Sequence, residues 1–205
     1  MFAGMEPVTV ALTLFTDALV IQGSVTTIHR RVTDILNQAE APFLVLDQVT
    51  IQEHGPRGQA VSLPFAQVNL DAVLFATADI PVEPNPSMRV VKTAERAVVS
   101  VPPFRVAGNV HLLVGDGDIR AGLRALTEAF VPITEATYWS EGLSDGRRQA
   151  LLVAVNHRRA HYIAPHRELD PWAGLEPARV VEAGSRVAAP ETPGSAVEVE
   201  AGGDA

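Results

Sequence analysis

The sequence predicts an α+β protein that is mostly β, built from two tandem ββαββ domains related by pseudo-twofold symmetry and followed by a disordered tail. Three observations lead to this prediction. Short runs rich in β-branched residues alternate with turn signals, two segments 87 positions apart align without a gap, and the C-terminal segment changes to Ala, Pro, Gly and Glu.

The repeat rests on a gapless alignment of FLVLDQVTIQEHG (43–55) with FVPITEATYWSEG (130–142). Further matches lie upstream, where the offset is 85 positions. The difference is explained by an insertion in the turn-rich segment GDGD (115–118), where extra residues cost little. The matched pairs are Phe43 with Phe130, Thr50 with Thr137, Gly55 with Gly142, Gly23 with Gly108, and Val25 with Val110. Matches of such different residue types in one order favour a duplication.

Each predicted domain begins with a β-hairpin. In the first domain the strands VTVALTLF (8–15) and ALVIQGSV (18–25) are separated by Thr16-Asp17. In the second, AVVSV (97–101) and FRVAGNVHLLV (104–114) flank Pro102-Pro103, where a turn is expected because proline lacks a backbone donor.

A short helix follows each hairpin. Thr33 is the predicted N-cap of DILNQAE (34–40), and Asp118 that of IRAGLRALTEA (119–129). An apolar stripe on the second helix comprises Leu123, Leu126 and Phe130. Two further strands are predicted to close each unit, with His157 and His161 on the last strand of the second.

These elements set the predicted domain boundaries. We expect a first β-rich repeat over 7–79, a Pro-rich linker over 80–94, a second repeat over 95–165 and a flexible acidic tail over 166–205. The tail holds 8 of the 24 acidic residues and 3 of the 16 basic ones, so it carries most of the net charge of −8.

Composition excludes several classes of function. Without a basic footprint, nucleic-acid binding is not expected. The chain has no cysteine, which rules out disulfides and zinc–thiolate sites. The apolar N-terminus lacks the positive charge of a signal peptide, and Asp17 interrupts it before it could span a bilayer. We therefore expect a cytoplasmic protein with no membrane contact and no cofactor.

The densest group of chemically versatile side chains is NHRRAHY (156–162). On the predicted strand, His157 and His161 share a face but stand about 13 Å apart, too far to share one metal ion. We therefore predict a partner-binding surface made of His157, Arg158, Arg159 and His161, with no metal. Trp172, in the tail, is a further candidate contact.

Two other groups stand out. His29, Arg30 and Arg31 precede the first helix, and a helix N-terminus with basic neighbours is a candidate site for a small anion; the alternative is a capped surface helix. Asn69 and Asn156 recur at equivalent positions, although asparagine is disfavoured in strands, so we expect them to share a structural role.

The motifs Gly-x-Val (23–25), RRVTDILN (30–37) and FLVLDQVTI (43–51) resemble those of small bacterial β-rich domains of unknown function. The pattern of that group is Gly-x-Val, Arg-[Leu/Val]-[Ser/Thr]-Asp-x-Leu-Asn, then Phe-[Ile/Leu]-x-Leu-x-[Asp/Ala]. The second repeat departs from it, with IRAGLRAL in place of VTDILNQA. The resemblance implies a bacterial protein and supports the boundary of the first domain. It implies no activity, because the group has none that is known.

No nucleophile elbow, triad spacing or fixed carboxylate pair is present, so we identify no catalytic residues. The sequence favours a non-enzymatic protein-binding or scaffold module that binds another protein or itself. The alternatives are a sensor or carrier of a small anionic ligand, bound between the repeats or at His29–Arg31, and a hydrolase using one of the histidines.

Overall fold

A computed structural model describes residues 6–39, 42–55, 58–78, 92–113, 119–140 and 146–166. Most of these residues lie in β-strands, as the runs rich in β-branched residues predicted. The strands are β1 (Val8–Phe15), β2 (Leu19–Thr27), β3 (Phe43–Glu53), β4 (Ala60–Asn69), β5 (Phe75–Ala78), β6 (Thr93–Val101), β7 (Phe104–Leu112), β8 (Phe130–Trp139), β9 (Arg148–Asn156) and β10 (Tyr162–Pro165).

Two short α-helices lie between described strands, α1 (Val32–Asn37) after β2 and α2 (Ile119–Arg124) after β7. Both were predicted, but their bounds differ. α1 begins before Thr33, which is buried inside the helix, and Arg31 occupies the N-cap without a side-chain hydrogen bond. The predicted Thr33 cap is therefore wrong, because burial of the apolar face sets the start of the helix.

α2 is shorter than predicted. It ends at Arg124, and Phe130, which was expected to extend its apolar stripe, instead begins β8. Leu123 and Leu126 do pack against the core. The predicted cap, Asp118, lies outside the described residues.

The last segment of each predicted repeat is divided by one turn of 3₁₀ helix, Leu70–Ala72 after β4 and His157–Arg159 after β9. A single strand was expected in each place. We name these the first and second 3₁₀ turns. In each turn the asparagine ending the preceding strand accepts a hydrogen bond from a backbone N–H two residues on, which redirects the chain.

The described strands form one ten-stranded antiparallel sheet in the order β10-β6-β7-β8-β9-β5-β1-β2-β3-β4. Strands from both predicted repeats belong to it, and all described residues fall within one compact unit. The two halves meet where β5 pairs with β9. A twofold axis through the junction would pair a strand with its own counterpart in the other half. The counterpart of β5 is β10, not β9, so the junction has no such axis. Of the linker predicted over 80–94, residues 80–91 lie outside the described residues, whereas Thr93 and Ala94 already belong to β6. The tail beyond His166 also lies outside the described residues.

The two halves have the same strand registers. Phe15 pairs with Phe75 and Ser100 with Tyr162; likewise Phe43 pairs with Asn69, and Phe130 with Asn156. The expected hairpins are confirmed, with turns at Thr16–Ala18 and Pro102-Pro103. Asn69 and Asn156 share the expected structural role.

A bulge recurs in β3 and β8. Gln48 and Glu135 have φ values of 51° and 50°, in the left-handed region. The facing strand carries Gly23 in one half and Gly108 in the other, where a Cβ would lie 3.1 Å and 2.7 Å from a backbone oxygen of the bulged strand. Glycine is required there because the bulge brings the two backbones together.

The sheet encloses two hydrophobic cores, and each takes residues from both halves. Core 1, in the first half, includes Phe130 and Ala154 from the second. Core 2, in the second half, includes Phe15, Leu74 and Phe75 from the first. The halves are therefore joined by packing as well as by strand pairing.

The sheet is strongly curled. The ring of His54, which follows β3, lies 5.1 Å from that of Phe104 at the start of β7. These strands are six positions apart in the sheet order, or roughly 29 Å if the sheet were flat. Phe104 also contacts Phe15 and Phe75 in the aromatic part of core 2. No helix among the described residues is long and apolar enough to cross a membrane.

Candidate protein-binding edges of the sheet

β4 is one end of the sheet, so one side of its backbone faces away from any described strand. Three of its large apolar side chains are exposed, with Val61 at 53%, Leu63 at 38% and Phe65 at 64%. The strand AVSLPFAQVN contains no charged residue. Edges of natural sheets are usually protected by charges, by proline or by being short. Only Pro64 provides such protection here.

The neighbouring strand extends this apolar surface. Phe43 and Val45 of β3 are 43% and 54% exposed, and they pair with Asn69 and Gln67 of β4. Residues directly opposite in an antiparallel pair point to the same face, and so do positions two apart. Phe43, Val45 and Phe65 therefore lie on one face. We call Phe43, Val45 and β4 together the β4 edge.

The other end of the sheet is β10, a strand of four residues paired only with β6. Tyr162 is 47% exposed, and His161, just before the strand, is exposed. The second 3₁₀ turn lies immediately upstream, with Arg158 and Arg159 exposed. We call the second 3₁₀ turn and β10 together the β10 end.

The junction inside the chain shows how such edges can be covered. There Phe75 of β5 pairs with Val155 of β9, and both side chains are buried, with 0% and 1% exposed. Asn156 is 2% exposed. Its backbone N–H donates to Leu74 O at 2.9 Å, and its Nδ2 donates to Val73 O at 3.0 Å.

A second contact ties α1 to β8 across the same junction. The side chain of Asn37 accepts from the backbone N–H of Phe130 through Oδ1 and donates to its carbonyl through Nδ2, both at 2.8 Å. Nδ2 also lies 3.1 Å from Glu128 Oε2. Asn37 thus imitates a neighbouring strand at the start of β8. This contact was not predicted from the sequence, because no local signal marks an asparagine at a helix end as a tertiary bridge.

The junction leaves a cleft of about 430 Å³ beside the first 3₁₀ turn. Its lining includes Asp71 from the first half and Arg158 from the second. Arg158 also donates from a guanidinium nitrogen to Thr127 O at 3.3 Å. The cleft therefore has both signs of charge on its walls, which suits a polar bridge between the halves.

The predicted partner surface is only partly as expected. His157, Arg158 and Arg159 form the second 3₁₀ turn and do not lie on a strand. The prediction that His157 and His161 share a strand face is therefore wrong, because Asn156 ends β9 by capping the turn. Arg158, Arg159 and His161 are exposed and belong to the β10 end. Trp172 lies outside the described residues.

The predicted anion site is a connection between β2 and α1. Arg30 is exposed, whereas His29 and Arg31 are half-buried. The His29 backbone N–H donates to the Thr27 hydroxyl at 3.1 Å. α1 has only six residues, so its dipole is weak, and anion binding there stays a prediction.

Two half-buried histidines have altered acidity. Burial lowers the pKa of His157, and the nearby Arg158 cation lowers it further. Burial likewise lowers the pKa of His111, with Lys92 contributing. Nε2 of His111 lies 2.8 Å from the Thr134 hydroxyl. Both rings therefore favour the neutral form at neutral pH.

Comparison with known proteins gives no assignment. No family model, no curated protein and no solved structure matches the chain. Within the described part of the chain, no group of three or more His, Cys, Asp or Glu side chains could hold a metal ion. The two ends of the sheet therefore provide the main structural evidence on function.

The β4 edge was missed by the sequence analysis, although one signal was present. Pro64 stands inside β4, and proline within a strand pattern indicates an edge strand because it cannot donate to a neighbour. The apolar residues Val61, Leu63 and Phe65 alternate around it. These residues predict a strand of the first repeat, but they do not indicate its place in the sheet order.

Proposed function

We propose that this protein is a non-enzymatic protein-binding module whose β4 edge takes up an extended segment of another protein. The observation that carries the proposal is a ten-residue edge strand with no charged side chain and three exposed large apolar ones, Val61, Leu63 and Phe65. Strand addition to such an edge satisfies its backbone N–H and C=O groups and covers its apolar side chains together.

The chemistry of this edge defines the segment that it would take. A partner strand would need alternating apolar side chains to cover Phe65 and Val45, which are 64% and 54% exposed. Asp47 is exposed directly opposite Phe65. A basic residue in the partner at that position would add a favourable charge pair, which sets orientation more than affinity.

We further propose that the two halves are tandem copies of one unit, in which a short fifth strand, β5 or β10, follows the predicted ββαββ order after the 3₁₀ turn. Equal strand registers, the repeated bulge facing a glycine and the two capped 3₁₀ turns support a duplication. In this view the β4 edge of the first copy corresponds to β9 of the second, where Ala154 and Val155 pair with β5. Of these two equivalent strands, β4 is then the one that has no neighbouring strand on its outer side within the described chain.

The test is partner capture by the tagged full-length chain, compared with the Val61→Lys/Phe65→Lys double variant. Lysine on an edge strand opposes strand addition because the charge would have to be buried. Leu151→Lys is the matched control, since Leu151 is 84% exposed but lies on β9, away from the β4 edge. All three sites are exposed, so folding free energy should change by no more than about 0.5 kcal/mol.

We expect a partner that is retained by the wild-type chain and by Leu151→Lys and lost from the double variant. Its affinity, measured with purified components, should fall at least tenfold in the double variant only. A partner bound equally by all three proteins would contradict binding at the β4 edge. A chain ending at His166 tests the acidic tail separately, and loss of the partner from that variant would place binding in the tail.

A further inference from the structure

We infer that the β10 end of one molecule docks on the β4 edge of a second copy of this chain, repeating between molecules the junction that β5 makes with β9 within it. The inference rests on the proposed function only in using the same edge, and it names the partner as the protein itself. β10 is the counterpart of β5, and β4 is the counterpart of β9. β5 and β9 pair at the junction, whereas β10 and β4 are the two end strands of the described sheet.

β10 occupies the position in the second half of the chain that β5 occupies in the first. In the first half of the chain, the backbone N–H of Leu74 donates to Phe15 O, and β5 then pairs with β1. In the second half, His161 donates to Ser100 O in the same way, and β10 pairs with β6 in the same register. β10 is therefore held in the position from which β5 reaches across to β9.

β4 occupies the position in the first half of the chain that β9 occupies in the second. Asn156 caps the second 3₁₀ turn and also donates, from its backbone and its side chain, to carbonyls at residues 70, 73 and 74. Asn69 caps the first 3₁₀ turn with the same geometry, its Oδ1 3.0 Å from the Asp71 nitrogen, yet it is exposed. Docking would give Asn69 the equivalent carbonyls of His157, Ala160 and His161 from the second copy.

Exposure shows that both surfaces lack their cover. Phe130 is 2% exposed at the junction, whereas its counterpart Phe43 is 43% exposed. Phe75 is fully buried at the junction, whereas its counterpart Tyr162 is 47% exposed. An aromatic side chain is kept at each position, and covering an aromatic ring is among the larger favourable terms in an interface.

Charge is complementary across the same contact. Asp71, from the first half, and Arg158, from the second, both line the junction cleft. In the intermolecular contact these residues would exchange sides, with Arg158 of the arriving copy facing Asp71 of the receiving one. One acidic and one basic side chain would therefore line the same cleft in both places, which favours this register over others. Arg159 is exposed beside Arg158 and adds to the positive end.

The register allows a sharp test because the chain has no cysteine. Ala76 pairs directly with Ala154 at the junction, and their counterparts are Ile163 and Gln67. Antiparallel partners stand about 4.5–5.5 Å apart at Cα, within the range that a disulfide spans. We therefore expect an equimolar mixture of Gln67→Cys and Ile163→Cys to form a disulfide-linked mixed dimer under mild oxidation.

The control mixture pairs Gln67→Cys with Leu151→Cys, which has an exposed thiol away from both surfaces. Mixed dimer at no more than the control yield, with both variants folded by circular dichroism, would overturn the inference. A double variant carrying both Gln67→Cys and Ile163→Cys tests the alternative that the β10 end contacts the β4 edge of the same molecule. If it forms its disulfide within one chain, the two ends meet in the same molecule and the inference is also overturned.

Sedimentation equilibrium of the unmodified chain is the second readout. We expect the average mass to rise with concentration, because a head-to-tail contact can add further copies. Phe43→Ser and Tyr162→Ser should each weaken association at least tenfold, whereas Leu151→Ser should not. A chain that stays monomeric, while partner capture still depends on Val61 and Phe65, would refute this inference and leave the proposed function intact.

Discussion

Replacing Asn156 by alanine tests the junction between the two halves directly. The side chain accepts from the Arg158 backbone N–H at 3.2 Å and donates to Val73 O at 3.0 Å, with a longer contact of 3.4 Å to Leu70 O. The two shorter hydrogen bonds contribute about 1 kcal/mol each. Because Asn156 is 2% exposed, the Val73 carbonyl would also lose its partner without gaining water, which adds about 1 kcal/mol or more.

We therefore expect Asn156→Ala to lower the free energy of unfolding by about 3 kcal/mol. Asn69→Ala is the matched control, since Asn69 makes the same cap but is exposed, and it should cost about 1 kcal/mol. Urea denaturation of both variants, compared at equal slope, measures the difference. Equal losses in the two variants would refute the reasoning, because the tertiary hydrogen bonds of Asn156 would then contribute nothing.

Two further predictions concern the bulge and the histidines. Gly108→Ala should destabilise the fold by about 1–3 kcal/mol, because the new methyl group would lie 2.7 Å from Thr134 O, whereas Gly146→Ala, with nothing within 4 Å, should be close to neutral in thermal unfolding. The unfolded chain binds protons at His111 and His157 that the folded chain resists, so unfolding free energy should fall as pH drops below about 6.5. Replacing both histidines by Asn should flatten that dependence, and an unchanged slope would contradict it.

Much of the secondary structure was predictable because it depends on local chemistry. Runs rich in β-branched residues predicted the strands, and turn residues predicted the hairpins. Thr16, in the first hairpin turn, shows how a turn residue acts. Its hydroxyl accepts from the Leu19 backbone N–H at 2.9 Å, so the side chain itself stabilises the turn. The helices were also predicted, with errors of a few residues at their ends, where tertiary burial decides.

The 3₁₀ turns could not be located in the same way. Leu70–Ala72 and His157–Arg159 stand inside runs that look like continuous strands, and the turns form because an asparagine side chain satisfies the redirected backbone. That error moved His157 and His161 off a common strand face. Arg158, Arg159 and His161 are nevertheless exposed, beside the end strand β10, whereas His157 is half-buried.

Sheet order is a different kind of information. The period of two in a strand shows which side chains share a face, but not which strand lies beside it. The pairing of β5 with β9 is made between residues about 80 positions apart, and no local signal specifies it. The identity of the edge strands, and hence the candidate binding surface, follows only from that pairing.

Phe43 and Phe130 show where the two kinds of information divide. Each begins a strand, each pairs with an asparagine that caps a 3₁₀ turn, and the sequence by itself aligned them. Yet Phe130 is buried beside Asn37 while Phe43 is 43% exposed. The sequence determined the repeated strands and their faces because these depend on neighbouring residues. Only the tertiary structure decided which of two equivalent surfaces is covered, because burial depends on which distant strand lies against it.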